Sequence, residues 1–183
     1  YLDTKDVDQY LQQIKEDNFS CDTIGFTGGE PFMNKDIISI LNLCRKENYN
    51  ILILTNAMQP MLNKIKELKT FATYEKLTIR VSLDHYTKEG HEHIRGKNTW
   101  DKALKGIRWL ADNKFNINIA SRIINRNEKL LREGFAKLFK DNNLIIDAYN
   151  KNDLIVFPEM NSQSDTPEIT TDCWDILNTD PKN

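Results

Sequence analysis

Three of the chain's seven glycines fall within five residues, directly before a glutamate and a proline. Gly25, Gly28 and Gly29 can adopt backbone conformations closed to other residues and let a ligand come close to the chain. The carboxylate of Glu30 could hold a ligand ammonium by a charge-assisted hydrogen bond, and Pro31 stiffens the exit. The segment therefore predicts either a ligand cradle or a tight turn between a strand and a helix with a solvated glutamate.

The elements that would position this segment follow from the hydrophobic periodicity, which alternates between helix and strand along the chain. Strands are predicted at 22–26, 51–54, 77–83, 116–124 and 154–157, with helices between them. Asn34 and Thr99 are expected to cap two of these helices. Intervening helices favour parallel strands joined by right-handed crossovers. The sequence thus predicts an α/β fold with a barrel-like parallel sheet, whose ligands bind at the carboxyl ends of the strands.

The composition fits a single globular domain: 183 residues, 39% hydrophobic and 28% charged, with a formal net charge of -2. Basic residues are dispersed among acidic ones, which argues against a nucleic-acid partner. No apolar run approaches the roughly 20 residues of a membrane-spanning helix, and no signal peptide opens the chain. Cys21, Cys44 and Cys173 are too far apart for a CxxC site and are interpreted as reduced thiols, with Cys44 buried. We expect a cytoplasmic protein without a membrane partner.

Further polar or distinctive segments follow the later predicted strands. They are Thr55-Asn56 after the second strand, Ser82-Leu83-Asp84 at the end of the third, the sequence HEHIRG at 91–96, Asn125 after the fourth and Phe157-Pro158 at the end of the fifth. Because carboxyl ends of parallel strands share one edge of a sheet, these segments are expected to lie near the glycine segment.

In this order, the segments resemble the motifs of radical S-adenosylmethionine enzymes. The sequence TGGEP at 27–31 resembles the family's GGEP motif, TN at 55–56 its strand-end pair, and SLD at 82–84 its SLD motif. The stretch at 91–96 is similar to the HDxIRG segment. The resemblance covers about residues 22–157 and implies a partial parallel (β/α)6-type barrel, similar to a TIM barrel, whose first strand and cluster loop are missing here.

The resemblance also implies a site for S-adenosylmethionine. Its residues would be Thr27, Gly28, Gly29, Glu30, Pro31, Asn56, Ser82, Asp84, Arg122 and Phe157. Glu30 would receive the cofactor's ammonium, Ser82 would bind its carboxylate or ribose, and Phe157 would lie against adenine. The guanidinium fork of Arg122 suits a second contact to the carboxylate.

Each of these roles has a plainer alternative. Ser82 could cap a loop, Phe157 could simply end a strand, and Arg122 could form an ion pair with a neighbouring acid. Arg95 is expected to pair with Asp84 or Glu92 and so hold its loop.

Chemistry in this family requires a 4Fe-4S cluster, held by a CxxxCxxC loop that precedes the first helix. The sequence contains no such loop, so its three cysteines and the first strand are expected upstream of Tyr1. Residues 1–158 would then be an N-terminally incomplete core, and 159–183 an irregular extension or the start of a further region. The resemblance implies reductive cleavage of S-adenosylmethionine to a 5′-deoxyadenosyl radical, which abstracts hydrogen from an unknown small-molecule or peptide substrate. The electron donor would be a flavodoxin or ferredoxin.

Two alternative functions remain open. The protein could lack the cluster altogether and keep the fold for binding or as a scaffold. His85, His91 and His93 could instead belong to a metal-dependent hydrolase, although the sequence contains no HExxH motif and exposed loop histidines are the simpler interpretation. No metal ligand is predicted within the chain.

Overall fold

The computed structural model describes residues 1–122 and 127–158. Predictions for Asn125 and for the extension 159–183, which includes Cys173, lie outside these residues. The helices and strands follow one another in the order α1 (Thr4–Glu16), β1 (Thr23–Phe26), α2 (Ile37–Lys46), β2 (Asn50–Thr55), α3 (Gln59–Leu62), α4 (Ile65–Leu68), β3 (Leu77–Ser82), α5 (Lys88–Arg95), α6 (Trp100–Asp112), β4 (Asn116–Arg122), α7 (Glu128–Asp141) and β5 (Leu154–Phe157). Short 3-10 turns span Pro31–Met33 and Lys69–Phe71.

The five strands form one parallel sheet in the order β1-β2-β3-β4-β5. Each strand pairs with its neighbour in sequence, so every crossover places its helices on the same side of the sheet. This arrangement confirms the predicted α/β fold with a partial barrel of parallel strands.

The two faces of the sheet differ in character because side chains alternate along each strand. Ile51 and Ile53 of β2 and Ile79 and Val81 of β3 are buried under the helices. The residues between them point to the opposite side, which we call the inner face. By alternation and register, the inner face comprises Thr23, Gly25, Asn50, Leu52, Leu54, Thr78, Arg80, Ser82, Asn116, Asn118, Ala120, Arg122, Ile155 and Phe157.

The helices are fastened to the sheet by apolar packing and by one buried arginine. The Nη1 of Arg132 on α7 donates to the carbonyl oxygens of Ala148 (2.6 Å) and Leu154 (3.3 Å), and its Nε donates to Glu128 (2.7 Å). This network ties α7 to the start of β5. Cys44 lies fully buried on α2, as predicted, and burial raises the pKa of its thiol to about 11.

Both predicted N-caps need correction. The helix expected to begin at Asn34 has Asp36 at its N-cap, because the Asn34 side chain accepts from the Asp36 backbone N–H in a local turn instead. Thr99 occupies the N-cap of α6, but its hydroxyl donates to the Gly96 carbonyl and accepts from no helix amide; the Trp100 N–H donates instead to the Glu92 carboxylate (3.3 Å). Within the described residues, no helix is both long and apolar enough to cross a bilayer.

Candidate cofactor site at the carboxyl edge of the sheet

The glycine segment leaves β1 at the carboxyl edge of the sheet. Gly28 and Gly29 have φ values of 90° and 52°, a region that favours glycine because other side chains are strained there. A Cβ placed on either residue would meet no atom within 4 Å. Backbone conformation therefore accounts for these glycines, and the space beside the loop is open, as a ligand cradle requires.

Glu30 is buried rather than solvated, so the interpretation of a turn with a solvated glutamate is wrong. Only 7% of the residue is exposed, and its carboxylate accepts three hydrogen bonds. Oε1 receives the Thr55 hydroxyl (2.7 Å) and the Phe32 N–H (3.2 Å), while Oε2 receives the Asn56 N–H (2.8 Å). The carboxylate thus joins the glycine segment to the end of β2. Because each oxygen has two lone pairs, Oε2 keeps one acceptor position.

The loop after β2 is held in turn by α6. The Thr55 hydroxyl accepts from the Ala57 N–H (3.0 Å) while it donates to Glu30, and Asn56 Oδ1 accepts from the Met58 N–H (2.9 Å). Ala57 has a φ of 55° and packs against Gly106, where a Cβ would lie 1.8 Å from the Ala57 carbonyl oxygen. Only a glycine at position 106 permits this contact between loop and helix.

Asp84 forms a second buried anchor at the end of β3. The residue is 2% exposed, and its carboxylate binds the Nε of Arg95 through Oδ2 and lies 3.5 Å from the Nε of Arg122 through Oδ1. Its backbone N–H points to Nδ1 of the buried His91 at 3.3 Å. Of the two partners expected for Arg95, the structure therefore shows Asp84 and not Glu92.

Arg122 forms an ion pair with Asp84, which is the alternative to cofactor binding that the sequence left open for this residue. Even so, 58% of the Arg122 side chain is exposed. Among the described residues its guanidinium has no other polar partner, so its two terminal nitrogens are not engaged by them. Ser82 is half-buried on the inner face, next to Ala120 of β4. Phe157 is 45% exposed and is paired in register with Arg122.

The structure thus groups the predicted residues into two sets along one edge. Glu30 and Asn56 touch each other beside Gly28 and Gly29, whereas Asp84 and Arg122 touch each other beside Ser82 and Phe157. Thr27 lies exposed at the loop, and Pro31 starts the 3-10 turn that Glu30 caps. Their assignment as cofactor contacts stays a prediction.

Sequence reasoning missed three residues that hold this edge together: Thr55, His91 and Gly106. Thr55 was noted only as part of the TN pair, and His91 only as a member of a histidine group. The sequence offered one signal for Thr55: every second residue of β2 is buried, and Thr55 falls on the buried side of this alternation. No sequence signal distinguishes Gly106 from an ordinary glycine within a helix.

The histidines do not assemble a hydrolase site. His91 is 1% exposed, and burial lowers the pKa of its imidazole. His85 stacks on Tyr86 with ring centroids 4.3 Å apart, and its Nδ1 accepts from the Thr87 N–H at 2.9 Å. In the part of the chain that the structure describes, no three His, Cys, Asp or Glu side chains are grouped to hold a metal ion. The described residues therefore do not provide ligands for an iron-sulfur cluster either.

Comparison with known proteins identifies the class. A family model described as the radical SAM superfamily matches residues 1–154, and the chain belongs to this superfamily of enzymes. The predicted resemblance is confirmed.

Individual relatives share part of their length with this chain. The antilisterial bacteriocin subtilosin biosynthesis protein AlbA of Bacillus subtilis is 28% identical over 106 residues, which cover 57% of this chain and 23% of AlbA. The crystal structure of Streptococcus suis SuiB matches with a TM-score of 0.69 and 17% identity, over 97% of this chain and 38% of SuiB. Native anSMEcpe with bound AdoMet matches with a TM-score of 0.64 and 17% identity, over 90% of this chain and 45% of that one.

The chain spans between about a quarter and just under half of these relatives' lengths. SuiB is also matched in structures bound to S-adenosylmethionine and to its precursor peptide SuiA, and anSMEcpe in one with AdoMet and the Kp18Cys peptide. At these identities the structural matches establish the fold.

Proposed function

We propose that this chain binds S-adenosylmethionine across the carboxyl edge of the sheet as the core of a radical enzyme. The observation that carries the proposal is the glycine segment, which has open space beside Gly28 and Gly29 and a buried Glu30 that keeps one acceptor position on Oε2. A cationic amine fits such a position, because charge-assisted hydrogen bonds to a carboxylate are strong in a partly desolvated site. Membership of the superfamily supports the choice of cofactor.

The negatively charged carboxylate of the same cofactor suits the second group of residues, which surrounds Asp84 and Arg122. We assign the cofactor carboxylate to the exposed nitrogens of Arg122 and to the Ser82 hydroxyl. Asp84 holds Arg122 through Nε and therefore orients its guanidinium without occupying the outer nitrogens. Asp84 also pairs with Arg95, so these two arginines and one carboxylate carry a net charge of +1, which suits an anionic group of the cofactor. Phe157, in register with Arg122, offers an apolar surface to the adenine.

A 4Fe-4S cluster held by cysteines outside the described residues would supply one electron to S-adenosylmethionine, whose cleavage to methionine would provide a 5′-deoxyadenosyl radical for hydrogen abstraction from the substrate. The described residues bind and orient the cofactor. We propose a flavodoxin or ferredoxin as electron donor and a cytoplasmic location; both stay predictions.

A peptide substrate is the more specific part of the proposal. Peptides are bound in the matched structures of SuiB and anSMEcpe, and AlbA is named for the biosynthesis of a bacteriocin. We extend this class of substrate to the present protein. A small-molecule substrate is the alternative that the experiment below must distinguish.

The test measures S-adenosylmethionine binding by calorimetry with full-length protein, purified and reconstituted with iron and sulfide under anaerobic conditions. Arg122→Gln should weaken binding by about tenfold or more, because it removes a charged contact worth roughly 1.5–3 kcal/mol. Arg108→Gln is the matched control: Arg108 lies on α6, contacts Asn142 and should leave the affinity unchanged.

Cofactor turnover separates the enzymatic proposal from a binding protein. Reduced, fully loaded protein should release 5′-deoxyadenosine, and release should increase with a cognate peptide. Equal affinities of Arg122→Gln and the unsubstituted protein would refute the assigned site. Tight binding without any 5′-deoxyadenosine from a loaded cluster would replace the enzyme by a cluster-free binding protein.

A further inference from the structure

An arginine that forms no ion pair with any described residue lies in the middle of the inner face. Arg80 of β3 is half-buried, and its Nε donates to Asn118 Oδ1 on the neighbouring strand at 3.0 Å. Arg80 and Asn118 are partners in the strand register, so this bond fixes the direction of the guanidinium across the sheet. Burial lowers the pKa of Arg80, which reflects the cost of keeping its charge away from water.

The charge of Arg80 is not balanced by the face on which it lies. Arg80 and Arg122 are the charged residues among the described strand residues of the inner face, and no Asp or Glu is among them. Arg122 has Asp84 as its partner, whereas Arg80 forms no ion pair within the described residues. A partly desolvated cation of this kind is stabilised by an anion that arrives from outside.

A cavity in front of Arg80 has room for such an anion. Its volume is about 450 Å³, within the range of small-ligand sites. Arg80, Asn118, Thr78 and Asn116 provide its polar wall, and Leu52 and Ile155 its apolar walls. The cavity extends from Arg80 to the amino ends of the strands, where Thr23, Asn50 and Asn152 also line it. Glu75 and Lys76 lie at its rim with opposite charges, so they leave its net charge to Arg80.

We propose that Arg80, oriented by Asn118, binds a carboxylate of the substrate, namely an acidic side chain of a peptide. This inference rests on the proposed function, because it places the substrate next to a cofactor bound at the carboxyl edge, on the side toward the amino ends of the strands. Arg80 lies two residues before Ser82, about 6.6 Å deeper along β3 at the rise of a strand. A peptide that enters from the carboxyl edge and reaches Arg80 with an acidic side chain has the aliphatic carbons of that residue between Arg80 and the strand ends, where the hydrogen atom would be taken. Arg80 is therefore a residue that determines specificity.

The experiment uses two probes, the peptides acetyl-Ala-Glu-Ala-amide and acetyl-Ala-Gln-Ala-amide. Each is titrated into full-length protein carrying bound S-adenosylmethionine and ¹⁵N-labelled arginine, and the Nε–H signal of Arg80 is followed by NMR. Arg80→Lys assigns the signal. The Glu peptide should bind about tenfold more tightly than the Gln peptide, as expected for a charge-assisted bidentate contact, and should shift the Arg80 signal.

Two substitutions test the residues directly. Arg80→Gln should lower the affinity of the Glu peptide to that of the Gln peptide and leave the affinity for S-adenosylmethionine unchanged. Asn118→Ala keeps the charge but removes its orientation, so it should reduce the preference for Glu only in part. If Arg80→Gln does not fold, Asn118→Ala and the salt dependence of Glu-peptide binding decide the question.

Equal affinities of the two peptides, or an Arg80 signal that responds to neither, would overturn the inference. The second result is also expected if an acid elsewhere in the full chain already binds Arg80. Failure of the proposed function would look different. If the unsubstituted protein does not bind S-adenosylmethionine but still prefers the Glu peptide, Arg80 is an anion site on a protein with another activity.

Discussion

Replacing Glu30 by glutamine tests the most interconnected group in the site. The substitution keeps the size of the side chain but exchanges one acceptor oxygen for an NH₂ donor. Oε1 already receives two donors, from Thr55 and Phe32, so the amide oxygen best stays there. The new NH₂ group then faces the Asn56 N–H, which sits 2.8 Å from Oε2 in the native protein. Two donors would then face each other at a partly buried contact.

The expected cost follows from these contacts. One hydrogen bond to a charged acceptor is lost, the partly buried Asn56 N–H is left without this partner, and the other two bonds lose their charge assistance. Leaving one buried donor unsatisfied costs about 1–3 kcal/mol, so we expect the free energy of unfolding to fall by roughly 2–3 kcal/mol. In a chain of this size, such a loss lowers the melting temperature by roughly 4–12 °C.

Urea denaturation and calorimetry would measure this change, with Glu133→Gln as the matched control. Glu133 is exposed in the middle of α7 and has no hydrogen bond within the described residues, so its replacement should change the free energy of unfolding by less than about 0.5 kcal/mol. A double-mutant cycle with Thr55→Val should give a coupling energy of about 1 kcal/mol. Equal stabilities of Glu30→Gln and Glu133→Gln would refute the view that Glu30 joins the two loops.

Two further predictions follow from the same edge of the sheet. Gly106→Ala places a Cβ 1.8 Å from the Ala57 carbonyl oxygen, so it should destabilise the protein by about 1–3 kcal/mol and weaken S-adenosylmethionine binding. Gly134→Ala is the comparison: its Cβ would lie 2.4 Å from the Tyr86 ring, so the variant should lose stability with little effect on binding. Equal binding losses in the two variants would contradict this prediction. Burial lowers the pKa of His91 below its model-compound value of 6.5, so the unfolded chain takes up its proton first. Stability should therefore be complete above about pH 6.5 and fall below it, by at most about 1.4 kcal/mol per pH unit for this one group. Denaturation of His91→Asn between pH 5 and 8 should show a shallower dependence; an unchanged slope would be inconsistent with a neutral buried His91.

The fold could be predicted in detail because each strand carries its own signal. Leu77, Ile79 and Val81 alternate with polar residues, and the observed β3 begins at the predicted Leu77. The helix after β2 was harder, since its apolar spacing fits one helix while the chain forms two short ones, Gln59–Leu62 and Ile65–Leu68. Pro60 suits a helix start, and Lys64 leaves helical geometry between them.

The sequence predicted which residues lie along the carboxyl edge of the sheet but not the contacts among them; their assignment to a cofactor site stays a prediction. Motif order singled out Glu30 and Asp84, whereas Arg122 was proposed from its place near the end of the fourth strand and from the chemistry of its guanidinium. All three were expected to lie together because strand ends converge in a parallel sheet. Sequence does not reveal that Asp84 lies between two arginines, or that α6 approaches Ala57 closely enough to require Gly106. Such contacts join residues up to tens of positions apart and depend on the packing of whole elements.

These contacts change what the motif residues can contribute to a ligand. The two buried carboxylates, Glu30 and Asp84, spend most of their hydrogen-bonding capacity on the protein itself, and each joins a strand end to another part of the edge. Their substitution must therefore disturb geometry as well as binding, so loss of activity alone cannot assign them to the ligand. Direct contact is better sought in the groups left free, which are the remaining acceptor of Glu30, the outer nitrogens of Arg122 and the Ser82 hydroxyl. A variant such as Arg122→Gln, which spares the buried anchors, separates binding from folding most cleanly.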